Sequence, residues 1–128
     1  MKYSIVVILM LAAITGCVPS TQERGVQQSS SRSCSSGVSC QNAGLSHAGR
    51  GTKKHYAVAA KYFKQACDYG MDEGCNNLAF LYANARGVKQ SYTQAYHYWG
   101  MACRMGNQSA CANLELAKDK VATMHKKR

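Results

Sequence analysis

Acidic residues are scarce in this chain. Six Asp and Glu stand against sixteen Lys and Arg, for a formal net charge of +10 over 128 residues. Proline and tryptophan occur once each and phenylalanine twice. A chain this short holds one small core, which excludes a two-domain enzyme. Neither Cys-x2-Cys nor His-Glu-x2-His occurs, so the commonest spacings for a zinc site and for a redox-active dithiol are missing, and no metal or cofactor is expected. No apolar run reaches the roughly 18 residues that a membrane-spanning helix needs. What is present is 46% apolar, too rich for a disordered chain. Eight tyrosines and many alanines stand where a sheet would carry Ile, Leu and Val. The composition points to an all-α chain.

The first residues, MKYSIVVILMLAAITGC, place Lys2 ahead of an apolar run from Ile5 to Ile14. A run of that length has the character of a signal-peptide core. Its end, Ile14-Thr15-Gly16-Cys17, resembles the lipobox of bacterial lipoproteins, in which the cysteine is lipidated and becomes the new N-terminus. That resemblance makes residues 1–16 a lipoprotein signal peptide and Cys17 the anchor, since two or more acyl chains hold a protein on a bilayer stably. Val18 stands where an Asp would resemble an inner-membrane retention signal, so the expected address is the outer membrane, facing the periplasm. Residues 17–33 are Ser, Gln, Thr and Arg around Pro19 and read as a flexible tether. The globular part is expected over 34–124, with a basic tail at 125–128.

Within that part the sequence repeats. With one gap, the segment from Cys40 to Cys67 aligns on Cys75 to Cys103, matching Cys40/Cys75, Asn42/Asn77, Ala48/Ala83, Gly51/Gly87, Lys53/Lys89, Tyr56/Tyr92, Ala59/Ala95, Tyr62/Tyr98, Ala66/Ala102 and Cys67/Cys103. Cys67 to Cys103 and Cys75 to Cys111 share a spacing of 36, the period of stacked helix pairs. Tyr56, Ala59, Phe63 and Ala66 fall at helical spacing, as do Tyr92, Ala95, Trp99 and Ala102, giving one apolar stripe each. Gly70 and Gly106 follow where a helix needs a left-handed terminator. Leu78, Leu81 and Tyr82 mark a second type of helix, expected to end at Gly87.

With Cys17 lipidated, six cysteines remain, an even number that reads as disulfides in an exported chain. The repeat selects Cys67 with Cys75 and Cys103 with Cys111, each pair closing a turn. Cys34 and Cys40 look like a shortened copy, although the sequence leaves their mutual pairing open.

The string Ala59-x2-Tyr62-Phe63-x2-Ala66-Cys67-x2-Gly70-x4-Cys75-x2-Leu78-Ala79-x-Leu81-Tyr82-x4-Gly87-Val88 resembles the Sel-one-like repeat, a relative of the tetratricopeptide repeat, and its exported cysteine-rich subfamily. The resemblance spans 34 to about 117. It implies a short α/α solenoid of about two and a half disulfide-stapled helical hairpins. Usual glycines of the repeat are Ala79 and Ala85 here, and Glu115 replaces another in the last copy, whose Lys118, Asp119 and Lys120 suit a polar cap.

Members of that subfamily have been described as penicillin-binding or β-lactamase-like. No Ser here has a Lys three residues on, and neither Ser-Asp-Asn nor Lys-Thr-Gly occurs. Asp68, Asp72 and Glu73 gather at one turn, where they suit a helix start better than acid–base chemistry. No catalytic residue is therefore assigned. His47, aligned with Tyr82, is read as a packing residue. His97, near Tyr96, Met101 and Arg104, lies on the polar side of its helix, and the preceding repeat offers Lys61, Lys64 and Gln65. Related repeats hold an extended peptide or partner element on such a face. Lys61, Lys64, Tyr96, His97 and Arg104 are the candidate binding face.

The expected function is a membrane-anchored protein-interaction module, either an envelope adaptor or an immunity lipoprotein that masks a secreted effector. The alternative is a peptidoglycan- or penicillin-binding protein with weak β-lactamase-like hydrolysis. The positive charge carries no recognised nucleic-acid motif, so no nucleic-acid partner is expected.

Overall fold

A computed structural model describes residues 33–127. The signal peptide at 1–16, the lipidation at Cys17 and the tether up to residue 32 lie outside the described residues. Within them the chain is all-helical. Five helices follow one another: α1 (Gly37–Ala48), α2 (Lys53–Asp68), α3 (Asp72–Ala83), α4 (Tyr92–Arg104) and α5 (Gln108–Lys126). Each packs against the next in the chain. Among the described residues, no helix is long and apolar enough to cross a membrane.

Local chemistry sets most helix boundaries. Ser36 and Ser39 form a reciprocal capping box at the start of α1. The Thr52, Ser91 and Asn107 side chains each accept the N–H three residues on, from His55, Gln94 and Ala110. α3 has no side-chain cap but opens with Asp72 and Glu73, whose carboxylates favour the positive end of the helix dipole.

The α2–α3 and α4–α5 turns are built alike. Met71 N–H donates to Ala66 O at 3.0 Å and Gly70 N–H to Cys67 O at 2.9 Å; Asn107 to Ala102 and Gly106 to Cys103 follow the same pattern, both at 3.0 Å. Gly70 and Gly106 take φ of +82° and +98°, the left-handed terminators expected of them.

Disulfides join Cys67 to Cys75, Cys103 to Cys111 and Cys34 to Cys40, with Cα separations of 4.6, 4.7 and 5.2 Å. The third bridge ties the segment before α1 onto α1 itself. Gln65 of α2 accepts the Cys34 N–H at 3.3 Å and Tyr69 donates its hydroxyl to Cys34 O at 3.2 Å, so this stretch is held against α2 as well.

Small residues dominate the core. Ala59, Ala66, Ala79, Ala95, Ala102 and Ala110 are all fully buried, which lets helix axes approach closely. Phe63, Leu78 and Leu81 fill one cluster with Ala59 and Ala60; Trp99 centres a second with the two turn cysteines Cys67 and Cys75. Tyr82 and Tyr98 stack with centroids 5.9 Å apart, and His47 stacks on Tyr62 at 5.6 Å. The packing role expected of His47 is the one it takes.

Two boundaries differ from expectation. α3 stops at Ala83, short of Gly87, because Arg86 N–H turns back to Leu81 O at 3.0 Å and Ala85 adopts φ +53°. The same six-to-one closure that uses Gly70 and Gly106 is thus made with an alanine, and Gly87, at φ +69°, serves the following loop. At the other end, α5 runs through Lys126, so His125 and Lys126 of the basic tail are helical.

Candidate functional site

A surface groove of about 390 Å³ is lined by Thr93, Tyr96, His97, Gly100 and Arg104 of α4, with Leu114 contributed by α5. The first five recur along one side of α4 at helical intervals, and the α4–α5 disulfide partner Cys103 also faces the groove. Tyr96 and His97 are exposed, and Tyr96 keeps 40% of its surface accessible. His97 meets Tyr98 edge-on with centroids 5.2 Å apart, and the imidazole lies at the groove wall.

The structure therefore brings Tyr96, His97 and Arg104 together. It does not bring Lys61 or Lys64 to the same groove. Both are exposed on α2, and Lys64 is engaged by Asp68 one turn on, at 2.9 and 3.0 Å. That hydrogen bond, reinforced by the charge of Asp68, holds the Lys64 ammonium above its ordinary range. Gln65 is committed to the Cys34 backbone, and Met101 packs against the core cluster around Trp99. Neither is a groove residue.

Arg104 differs from Lys64 in having no carboxylate. Among the described residues the ion pairs are Lys64–Asp68 and the long Lys118–Glu115 contact at 3.8 Å. The groove is thus a partly apolar trough with a cation and an imidazole on its walls. It offers hydrogen bonding and charge, and no nucleophile paired with a base. Among the described residues no group of three or more His, Cys, Asp and Glu gathers to hold a metal ion.

Thr93, Gly100 and Leu114 were not among the candidates from sequence. A signal existed for each: Thr93 and Gly100 share the helical face of Tyr96 and Arg104, and Leu114 lies 36 residues after Leu78.

A second surface cluster had no local signal. Arg86 lies over the rings of Tyr56 and Phe80, at 5.4 and 5.2 Å to the centroids, and donates to the Tyr56 hydroxyl at 3.2 Å. With Leu45 and Ala48 these residues border a groove of about 360 Å³ between α1 and α3. Residues so far apart in the chain meet there only through the packing of the helices.

No family model, no curated protein and no solved structure matches the chain.

Proposed function

We propose that this protein is a non-enzymatic, protein-binding lipoprotein of the bacterial envelope, tethered through acyl chains on Cys17 and acting through the α4–α5 groove. The helices form a short solenoid of disulfide-stapled hairpins related to the Sel-one-like and tetratricopeptide repeats. Its place is the periplasmic face of the outer membrane, and its role is that of an adaptor or of an immunity protein that masks an effector.

The observation that carries this reading is the groove itself. Tyr96, His97 and Arg104 converge on one trough with Leu114, and Arg104 has no carboxylate partner among the described residues. Tyrosine and arginine beside an apolar floor are the side chains that dominate protein interfaces. The repeat of equal turns and bridges supports the solenoid, and the Ile14-Thr15-Gly16-Cys17 string supports the anchor.

The test is affinity capture with the full-length oxidised protein from solubilised envelope and secreted material of its own host. One protein retained at near-equal stoichiometry through a moderate-salt wash, and lost with Tyr96→Ala and Arg104→Glu together, supports the reading. Retention of wall fragments alone, or of nothing, contradicts it.

A further inference from the structure

The internal repeat describes the groove twice, once with its apolar floor buried and once with it open. Ala60, Lys64, Asp68 and Leu78 in the first copy stand at the positions of Tyr96, Gly100, Arg104 and Leu114 in the second. In the first copy the apolar floor is buried, with Ala60 and Leu78 6% and 2% exposed and Tyr98 of α4 packed against the cluster that contains them, while Lys64 and Asp68 stay exposed at its edge. In the second copy no further helix follows α5 among the described residues. Tyr96 is 40% exposed, Leu114 is half-buried, and the trough between them is open.

The substitutions between the copies change the charge and the depth. Lys64 and Asp68 neutralise each other in the first. Their counterparts are Gly100 and Arg104, so the pair is gone and a lone cation remains. A Cβ at Gly100 would meet only Arg104 Nη1 at 3.6 Å and Leu114 Cδ1 at 3.7 Å, so the missing side chain leaves usable space rather than a tight approach. At the α5 side, Glu115 and Lys118 take the positions of the buried Ala79 and the half-buried Tyr82. Those charges keep this end soluble when nothing is bound, and they suit an occupant that comes and goes.

We infer that the open α4–α5 groove receives an amphipathic helix of a partner protein, seated where a further repeat helix would lie, with an aromatic side chain over Gly100 and a carboxylate against Arg104. This rests on the protein-binding reading above and adds the chemistry of the partner. A second copy of this chain does not meet the charge requirement, being strongly basic itself. Helix-in-groove recognition of this kind draws affinity from a few apolar anchors, and the ion pair supplies register.

The experiment uses the full-length protein and two fluorescein-labelled helical peptides as probes. Both carry the α4 sequence Ser91–Met105 with Cys103→Ser; one adds Met101→Glu and the other Met101→Lys. The expected result is saturable anisotropy with the Glu peptide, weakened at least tenfold by Arg104→Glu, with the Lys peptide regaining affinity for the Arg104→Glu protein. Gly100→Leu, which fills the trough, and Tyr96→Ala, an exposed site, each weaken both peptides while far-ultraviolet circular dichroism melts show neither variant less stable than the wild type. No saturable binding by either peptide, or equal binding by the Gly100→Leu protein, overturns the inference. A partner still captured from the envelope by Gly100→Leu would leave the protein-binding reading standing and remove this groove as its seat.

Discussion

Trp99 donates its indole N–H to Asn76 Oδ1 at 3.0 Å, linking α4 to α3 inside the core that both disulfide-stapled turns border. Trp99 is 7% exposed, so its indole N–H has no easy alternative partner in water. A buried donor left unpaired costs about 1–3 kcal/mol. Asn76→Ala is expected to lower stability by that amount while the apolar packing of the ring persists. Because Trp99 is the one tryptophan of the chain, urea titration followed by its emission reads this directly. An unchanged midpoint would show that the bond contributes nothing.

Ala85 holds a left-handed conformation at φ +53° where the two disulfide-bridged turns use glycine. A non-glycine residue there carries a strain of about 1 kcal/mol. Ala85→Gly is expected to raise the urea midpoint correspondingly, despite the greater freedom glycine brings to the unfolded chain. A fall in stability would mean that this entropy outweighs the strain.

Gly87 behaves oppositely. It sits at φ +69°, and a Cβ there would collide with the backbone of Tyr56 and Ala57 at the start of α2. Backbone cannot swing aside as a flexible side chain can, so Gly87→Ala is expected to cost about 2 kcal/mol or more. Differential scanning calorimetry under oxidising conditions checks this. Gly51 has φ +70° but open space around it, so Gly51→Ala is expected to cost less.

Much of the architecture was legible because the chain states it twice. The stripes of Phe63 and Trp99, the terminators Gly70 and Gly106, and the two turn bridges follow from spacing that a helix converts into adjacency, whereas the Cys34–Cys40 pairing, open in the sequence, is settled by the structure. The end of α3 was not legible, since an alanine in a left-handed turn looks like any helical alanine until its neighbours are placed. The site was legible in part. Tyr96, His97 and Arg104 share one face of one helix, a local relationship. Lys61 and Lys64 share only a repeat position with them, and the turn from one repeat to the next carries them to a different surface, where Asp68 engages Lys64. The Arg86, Tyr56 and Phe80 cluster depends wholly on tertiary packing.

The bridges contribute unequally in context. Each of the two turn bridges closes a loop of similar length, for which the loop-entropy model gives about 2–3 kcal/mol. Cys67→Ala with Cys75→Ala opens the α2–α3 turn, removes two buried members of the Trp99 cluster and is expected to lose at least that much, near half of the stability of a marginal domain. Cys34→Ala with Cys40→Ala frees only the segment before α1, where Gln65 and Tyr69 still hold the backbone. Its melting temperature is expected to fall less. Equal losses would show that the segment before α1 is an integral part of the fold.

The proposed anchor at Cys17 has its own test. Metabolic labelling with palmitate is expected to mark the wild-type protein and not Cys17→Ser, and the variant is expected to leave the membrane fraction. Labelling that survives Cys17→Ser would place the lipid elsewhere.

The proposed function requires a protein partner in the groove beside Tyr96 in intact cells. Photo-crosslinking in intact cells tests it most directly, with a benzophenone-bearing residue in place of Tyr96 and, as the control, in place of Leu116, which is 68% exposed outside the groove. One discrete crosslinked protein is expected from position 96, none from position 116, and the product is expected to disappear when Arg104→Glu is added. Identical patterns from the two positions, or no protein adduct at position 96, would contradict it.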